Sequence, residues 1–134
     1  MVLMRGSQLL VNQLYSEGID TVFSLPGVQI MSIFDSLYEF RDRIRLIQTR
    51  HEQATTYMAD GYAKASGKPA AAIVVPGPGL LNATAGLGTA YASSSPVLLI
   101  SGQIQSASMG KQKGELHEID DQLDIVEPIT KWNQ

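Results

Sequence analysis

Apolar stretches of four to six residues alternate along this chain with segments whose apolar residues recur every three or four positions, and this alternation limits the folds open to it. Residues 6–17 have helical character, with Leu10, Val11 and Leu14 on one side and Gly18 as a stop. "IDTVFSL" (19–25) reads as a strand closed by Pro26-Gly27. In residues 29–40, Ile30, Ile33, Phe34, Leu37 and Phe40 keep the helical period. A strand is expected at "IRLIQT" (44–49), a helix over 51–66 ended by Gly67, and a strand at "AAAIVV" (70–75) closed by "PGPG". A helix over 81–92 and a fourth strand, "VLLIS" (97–101), follow. The polar run 104–115 reads as a mobile loop, and "HEIDDQLDIV" (117–126) as a last short helix before Pro128. Strands alternating with helices imply βαβ units, hence an α/β fold with a mostly parallel, Rossmann-like open sheet and helices on both faces. The third and fourth strands lack polar alternation, as expected of strands covered on both sides.

At 134 residues the chain fits one domain with a real core. A net charge of −3 with no densely basic stretch gives no electrostatic case for nucleic acid. The apolar runs are too short to span a bilayer, and the first ten residues lack the long apolar region of a secretory signal. No cysteine is present, which excludes disulfides and thiolate metal sites. The expected compartment is the cytoplasm, and no metal site is expected in this chain. "HEQAT" starts like a zinc-protease helix, but Thr55 stands where the second histidine would have to be.

In open α/β sheets ligands collect beyond the carboxyl ends of the strands. Those ends are Leu25-Pro26-Gly27, Arg50-His51-Glu52, Pro76 to Gly79 and Gly102-Gln103. "VVPGPGLLNA" approaches a dinucleotide fingerprint, but Asn82 replaces the third glycine and two prolines stiffen the turn, so a plain tight turn competes with nucleotide binding. In "NATAGLGTAYASS", Gly86 and Gly88 fall inside a helix, where each costs about 1 kcal/mol against alanine. A helix so stripped of bulk implies close approach: tight packing on its own sheet, or else a subunit interface or cofactor surface.

Glu52 opens a helix directly after a strand. An acid in a first turn is stabilised by the helix dipole, which is the plain reading. Its place at a strand's carboxyl end, and the largely uncharged neighbours "QATTYMA", also suit a partly desolvated carboxylate that exchanges a proton with a basic ring nitrogen.

Taken together, "VFSLPG", "RHEQATTYMADGYAKASGKPA", "PGPGLLNATAGLGTAYASSSPVLLISGQ" and "ITKW" resemble, from about residue 6 to 132, the N-terminal pyrimidine-binding domain of thiamine-diphosphate-dependent enzymes. The group is that of acetolactate synthase, pyruvate oxidase and the related decarboxylases. The resemblance gives Glu52 the place of the family's cofactor-activating glutamate. There the carboxylate hydrogen-bonds the pyrimidine N1′ and favours the 4′-imino tautomer, whose nitrogen takes the proton from thiazolium C2. The resulting ylid attacks a 2-oxo acid. Pro26 and Gly27 match the turn beside the pyrimidine, and Pro76, Gly77 and Asn82 match the turn and helix start near the thiazolium and substrate. Gln103 matches the glutamine after the fourth strand. Val28 stands where some decarboxylases have an acid or a serine. "LHEID" stands where synthases have Phe-Gln and some decarboxylases paired histidines, which turns His117 and Glu118 toward substrate.

The resemblance further implies magnesium and the diphosphate held by a Gly-Asp-Gly…Asn segment on another domain, usually of a partner subunit. No such segment occurs here. The chain is thus expected to be a single pyrimidine-binding domain, 1–134, of a larger homodimeric or higher oligomeric enzyme, inactive alone. The helix over 82–92 and the glutamate helix are the candidate dimer face. Two rival readings are a nucleotide-binding α/β module using the Pro76–Gly79 turn and a non-catalytic dimerisation module.

Overall fold

The computed structural model describes residues 3–134. In chain order its elements are α1 (Gly6–Ser16), β1 (Thr21–Ser24), a 3-10 turn (Val28–Ile30), α2 (Met31–Glu39), β2 (Arg45–Gln48), α3 (Glu52–Ser66), β3 (Ala70–Val74), α4 (Pro78–Ala92), β4 (Val97–Ser101), α5 (Gln122–Val126) and a final 3-10 turn (Glu127–Ile129). The strands form one parallel sheet in the order β2-β1-β3-β4. Val22 lies opposite Leu46 on one side and Ala71 on the other. From β1 the chain steps outward to β2, then returns past β1 to β3. The strand order therefore reverses between β1 and β3, and such a switch point opens a crevice at the carboxyl edge.

Alternation along the inner strands sorts their side chains to two faces. Val22, Ala71, Ile73 and Val75 pack with Val11 and Leu14 of α1 and Ile30 and Leu37 near α2. Phe23, Ala70 and Ala72 point to the other face, against Ala59 of α3. Three consecutive alanines in β3, all fully buried, let the helical layers come close to the middle of the sheet. A third cluster joins Leu80 and Leu87 of α4 to Val126 of α5.

β4 pairs only with β3, so its outer side is an edge of the sheet. Leu98 is 40% exposed there. Beside it runs a groove of about 1510 Å³ lined by Leu80, Leu87, Leu98, Leu99, Val126 and Trp132 among others. Among the described residues no helix is long and apolar enough to cross a membrane.

Three expectations are corrected. α4 starts at Pro78, three residues before the expected Leu81, because proline's fixed φ suits the first helical position and its missing N–H is no loss there. The expected helix over 117–126 shrinks to Gln122–Val126. His117 takes a left-handed φ of 69°, and Asp121 caps the helix by accepting from the Leu123 and Asp124 N–H groups. Of the two glycines in α4, only Gly86 serves close packing: a Cβ there would overlap Thr56 Oγ1 and lie 2.7 Å from the Tyr57 nitrogen of α3, whereas at Gly88 the nearest atom would be Ile129 Cγ2 at 3.8 Å. The small-residue helix thus packs within the chain, chiefly against α3. Within the run 104–115, Ile104 and Ser108 are buried, and Ser108 Oγ donates to Glu115 Oε1 at 2.6 Å.

Two charged groups staple the layers. Asp60 of α3 is buried; burial opposes its ionisation, yet Lys64, Ser95 and Ser93 hold its carboxyl below the usual range. Asp20, just before β1, accepts from Lys68 at 2.7 Å and from the Tyr62 hydroxyl at 2.6 Å, which lowers it from 3.8 to about 2. Free, this carboxylate keeps its charge only down to about pH 3.8; folded, it keeps it to about pH 2. Its stabilisation is complete above the first value and is lost as pH falls to the second. Urea titrations should therefore show Asp20→Asn less stable than wild type at pH 7, with the gap closing by about pH 2. A gap unchanged by acid would show that the ion pair contributes nothing.

Candidate functional site

Glu52 is the first residue of α3, and the helix start explains its position. His51, in extended conformation, is the N-cap, its Nδ1 accepting from the Gln53 N–H at 3.1 Å. At the far end Gly67, with φ 69°, closes the helix. This fixes the Glu52 backbone at the carboxyl end of β2 and turns its side chain inward, where the residue is only 9% exposed. Oε2 accepts from Asn82 Nδ2 of α4 at 3.0 Å. No protein donor reaches Oε1 among the described residues. One oxygen is held and the other is open to a ligand.

The walls around this carboxylate come from the switch point. A Cβ on Gly27, after β1, would overlap Val75 Cγ1. A Cβ on Gly79 would press on Val75 Cγ2 at 2.6 Å and lie 3.7 Å from Glu52 Oε1. Glycine at these two places lets Val75 pack directly against both turns beside the carboxylate. A carboxyl oxygen without a protein donor, on a residue only 9% exposed, fits a ring nitrogen such as that of the aminopyrimidine of thiamine diphosphate.

Gly77, between β3 and α4, has φ 58°, a conformation costly for other residues, and a Cβ there would overlap the His117 carbonyl oxygen. Its N–H donates to Gln122 Oε1 at 3.2 Å, and the Gly79 N–H donates to the Pro76 carbonyl at 3.3 Å. Both glycine amides are thus engaged, while a phosphate cradle needs them free. This argues against the nucleotide-binding reading of the turn.

Glu52, Asn82, Gly27, Pro76, Gly77 and His117 thus line one stretch of the carboxyl edge. Asn82 lies on the Glu52 carboxylate itself, a more specific placement than the helix start expected for it. Pro76 is fully buried and Pro26 exposed. Val28, 69% exposed, begins the 3-10 turn. Gln103 and Glu118 bond within their own loop: Gln103 Oε1 accepts from the Ile104 N–H, and Glu118 Oε2 from the Glu115 N–H. Neither has a side-chain hydrogen bond to the Glu52 group.

Three residues of this region have no signature in the sequence. Val75, 6% exposed, packs against Gly27 and Gly79. Gln122 joins the ends of β3 and β4, accepting from Gly77 and Ser101 and donating to the Gly102 carbonyl at 3.1 Å. Gln29 donates to the Leu116 carbonyl at 2.9 Å.

Comparison with known proteins gives the same picture. Residues 4–125 match the family model described as "Thiamine pyrophosphate enzyme, N-terminal TPP binding domain". The chain is 45% identical over 128 residues to a "probable 2-ketoarginine decarboxylase" of Pseudomonas aeruginosa, covering 96% of this chain and 22% of that protein. It is 39% identical to the acetolactate synthase large subunit of Lactococcus lactis, covering 96% and 22%. It is 32% identical to the mitochondrial acetolactate synthase catalytic subunit of Saccharomyces cerevisiae, covering 96% and 18%. The chain spans about a fifth of the length of these curated relatives. With its parallel sheet, its buried first-turn glutamate and a family match over nearly its whole length, the chain belongs to the thiamine pyrophosphate enzymes, as their N-terminal cofactor-binding domain.

Proposed function

We propose that this chain is the cofactor-activating domain of a larger thiamine-diphosphate-dependent enzyme acting on 2-oxo acids, by acetolactate-synthase-like carboligation or by decarboxylation. The observation that carries it is the Glu52 carboxyl group, buried and fixed by Asn82 through one oxygen, with the other free. When bound, the cofactor supplies the nucleophilic carbon that attacks the 2-oxo acid carbonyl. This chain's part is one placed proton acceptor and donor. Glu52, through Oε1, would hold the pyrimidine N1′ and would keep or yield a proton there. Asn82 keeps the carboxyl from rotating away, and Pro26, Gly27, Pro76 and Gly77 shape the ring's seat.

Val28, Gln103, His117 and Glu118 belong to the substrate side of this reading. Of these, His117 is supported by its contact with Gly77, two residues from the glycine that abuts Glu52. Magnesium and the diphosphate are assigned to a separate domain of a partner subunit, and the enzyme to a cytoplasmic homodimer or higher oligomer. The exposed Tyr57 and Met58 of α3 and Leu81 of α4, beside the site, support that face as the subunit contact.

The test uses the full-length enzyme with pyruvate, 2-oxobutanoate and 2-ketoarginine as probes. Dialysis against a chelator should abolish turnover, and thiamine diphosphate with magnesium should restore it. Turnover that persists in the stripped protein would overturn the reading.

A further inference from the structure

Among the described residues, one side chain from across the fold hydrogen-bonds the backbone next to His117 and Glu118. Gln29 sits in the 3-10 turn directly after Pro26-Gly27, and its Nε2 donates to the Leu116 carbonyl at 2.9 Å, across 87 positions of sequence. Its Cβ runs beside Gly102, at the end of β4, where an added Cβ would lie 3.4 Å away. The next residue, His117, has a left-handed backbone that a residue other than glycine keeps only when its surroundings impose it. Two polar atoms at this junction, Gln29 Oε1 and His117 Nδ1, are buried and have no partner. Buried polar atoms are rarely left so.

We infer that Gln29 is a positioning residue for the substrate. By holding Leu116 it fixes the backbone of 116–118 against Gly77, over the crevice between β1 and β3. Affinity for the 2-oxo acid then depends on Gln29, while the proton step at Glu52 does not. The inference rests on the proposed thiamine diphosphate function.

Two shape-conserving variants of the full-length enzyme test it. Gln29→Met removes the amide at similar volume, and Gln29→Glu replaces the donor with a charged acceptor that faces the Leu116 carbonyl. Each should raise KM about tenfold for whichever of pyruvate, 2-oxobutanoate and 2-ketoarginine the wild type turns over fastest, with kcat within about twofold. The rate at which the bound cofactor exchanges its C2 proton for deuterium should stay at the wild-type value, as should the unfolding midpoint. An unchanged KM overturns the inference. So does an exchange rate that falls together with kcat, because Gln29 would then act on the cofactor. The parent reading is judged on the wild type alone: no turnover of any probe, or exchange no faster than in Glu52→Gln, removes that reading and this inference with it.

Discussion

In the full-length enzyme, Glu52→Gln is expected to lower turnover by about two to four orders of magnitude, the usual worth of a positioned acid or base. Glutamine has the same length, and its amide oxygen can still accept from Asn82 Nδ2, so α3, its His51 cap and the Glu52–Asn82 contact all survive. What disappears is the ability of one atom to take and return a proton. The far-ultraviolet circular dichroism and the urea midpoint should therefore match wild type, and C2-proton exchange of bound thiamine diphosphate should slow in parallel with turnover. Glu52→Asp gives a graded control: the carboxyl remains but retreats by one methylene, and an intermediate rate is expected. If Glu52→Gln turns over near the wild-type rate, Glu52 is only a first-turn acid that stabilises its helix, and the central proposal is lost.

The second large effect is structural and lies about one helical turn away. Gly86→Ala would put a methyl group onto Thr56 Oγ1 and within 2.8 Å of Thr56 Cβ and 2.7 Å of the Tyr57 nitrogen. Thr56 cannot rotate aside without loss, because its Oγ1 donates to the Ala83 carbonyl at 2.8 Å. The backbone contact gives no relief either, so α3 and α4 must move apart. Overpacking of this kind costs about 1–3 kcal/mol, of which alanine's better helix propensity returns up to about 1 kcal/mol. Gly88→Ala is the internal control. It meets nothing closer than 3.8 Å and should gain up to about 1 kcal/mol. The same substitution two residues apart is thus expected to shift the urea midpoint in opposite directions. Because α3 carries Glu52 and α4 carries Asn82, Gly86→Ala should also cut activity in the full-length enzyme at temperatures where it remains folded. Equal stability of the two variants would show that the helices are not in the close contact described.

The fold is legible in the sequence wherever a local pattern suffices. The apolar runs at "TVFS", "RLIQ", "AAAIV" and "VLLIS" became strands because their flanks carry turn residues and their spacing to the next helix is short. Glu52 stood out for a local reason too, as an acid in the first turn after a strand. The start of α4 was misplaced because Pro78-Gly79 reads as a turn, although a proline at the first helical position also starts a helix. Gly86 and Gly88 carry the same local signal, and only the neighbouring helix distinguishes them. Asn82 resting on Glu52, Gln122 bridging β3 and β4, and Gln29 holding Leu116 are of another kind. Each joins partners 20 to 87 positions apart, several of them main-chain atoms that any residue would present. No periodicity or motif encodes such a bond, since it exists only once the elements have docked.

The two borders of the sheet differ in one further respect. β2 ends the sheet with Arg45 and Gln48 exposed, and a charge on a border strand discourages another strand from adding to it. β4 has no such guard: its sequence is "VLLIS", its outer hydrogen-bonding groups have no strand partner, and the neighbouring surface includes Trp132 at 70% exposure. In isolation such a border is a template for self-association, and the domain's colloidal behaviour would be set there rather than by its net charge of −3. In the isolated domain, solubility would thus be decided at the border opposite β2, by four apolar residues and a serine that form no part of the catalytic crevice.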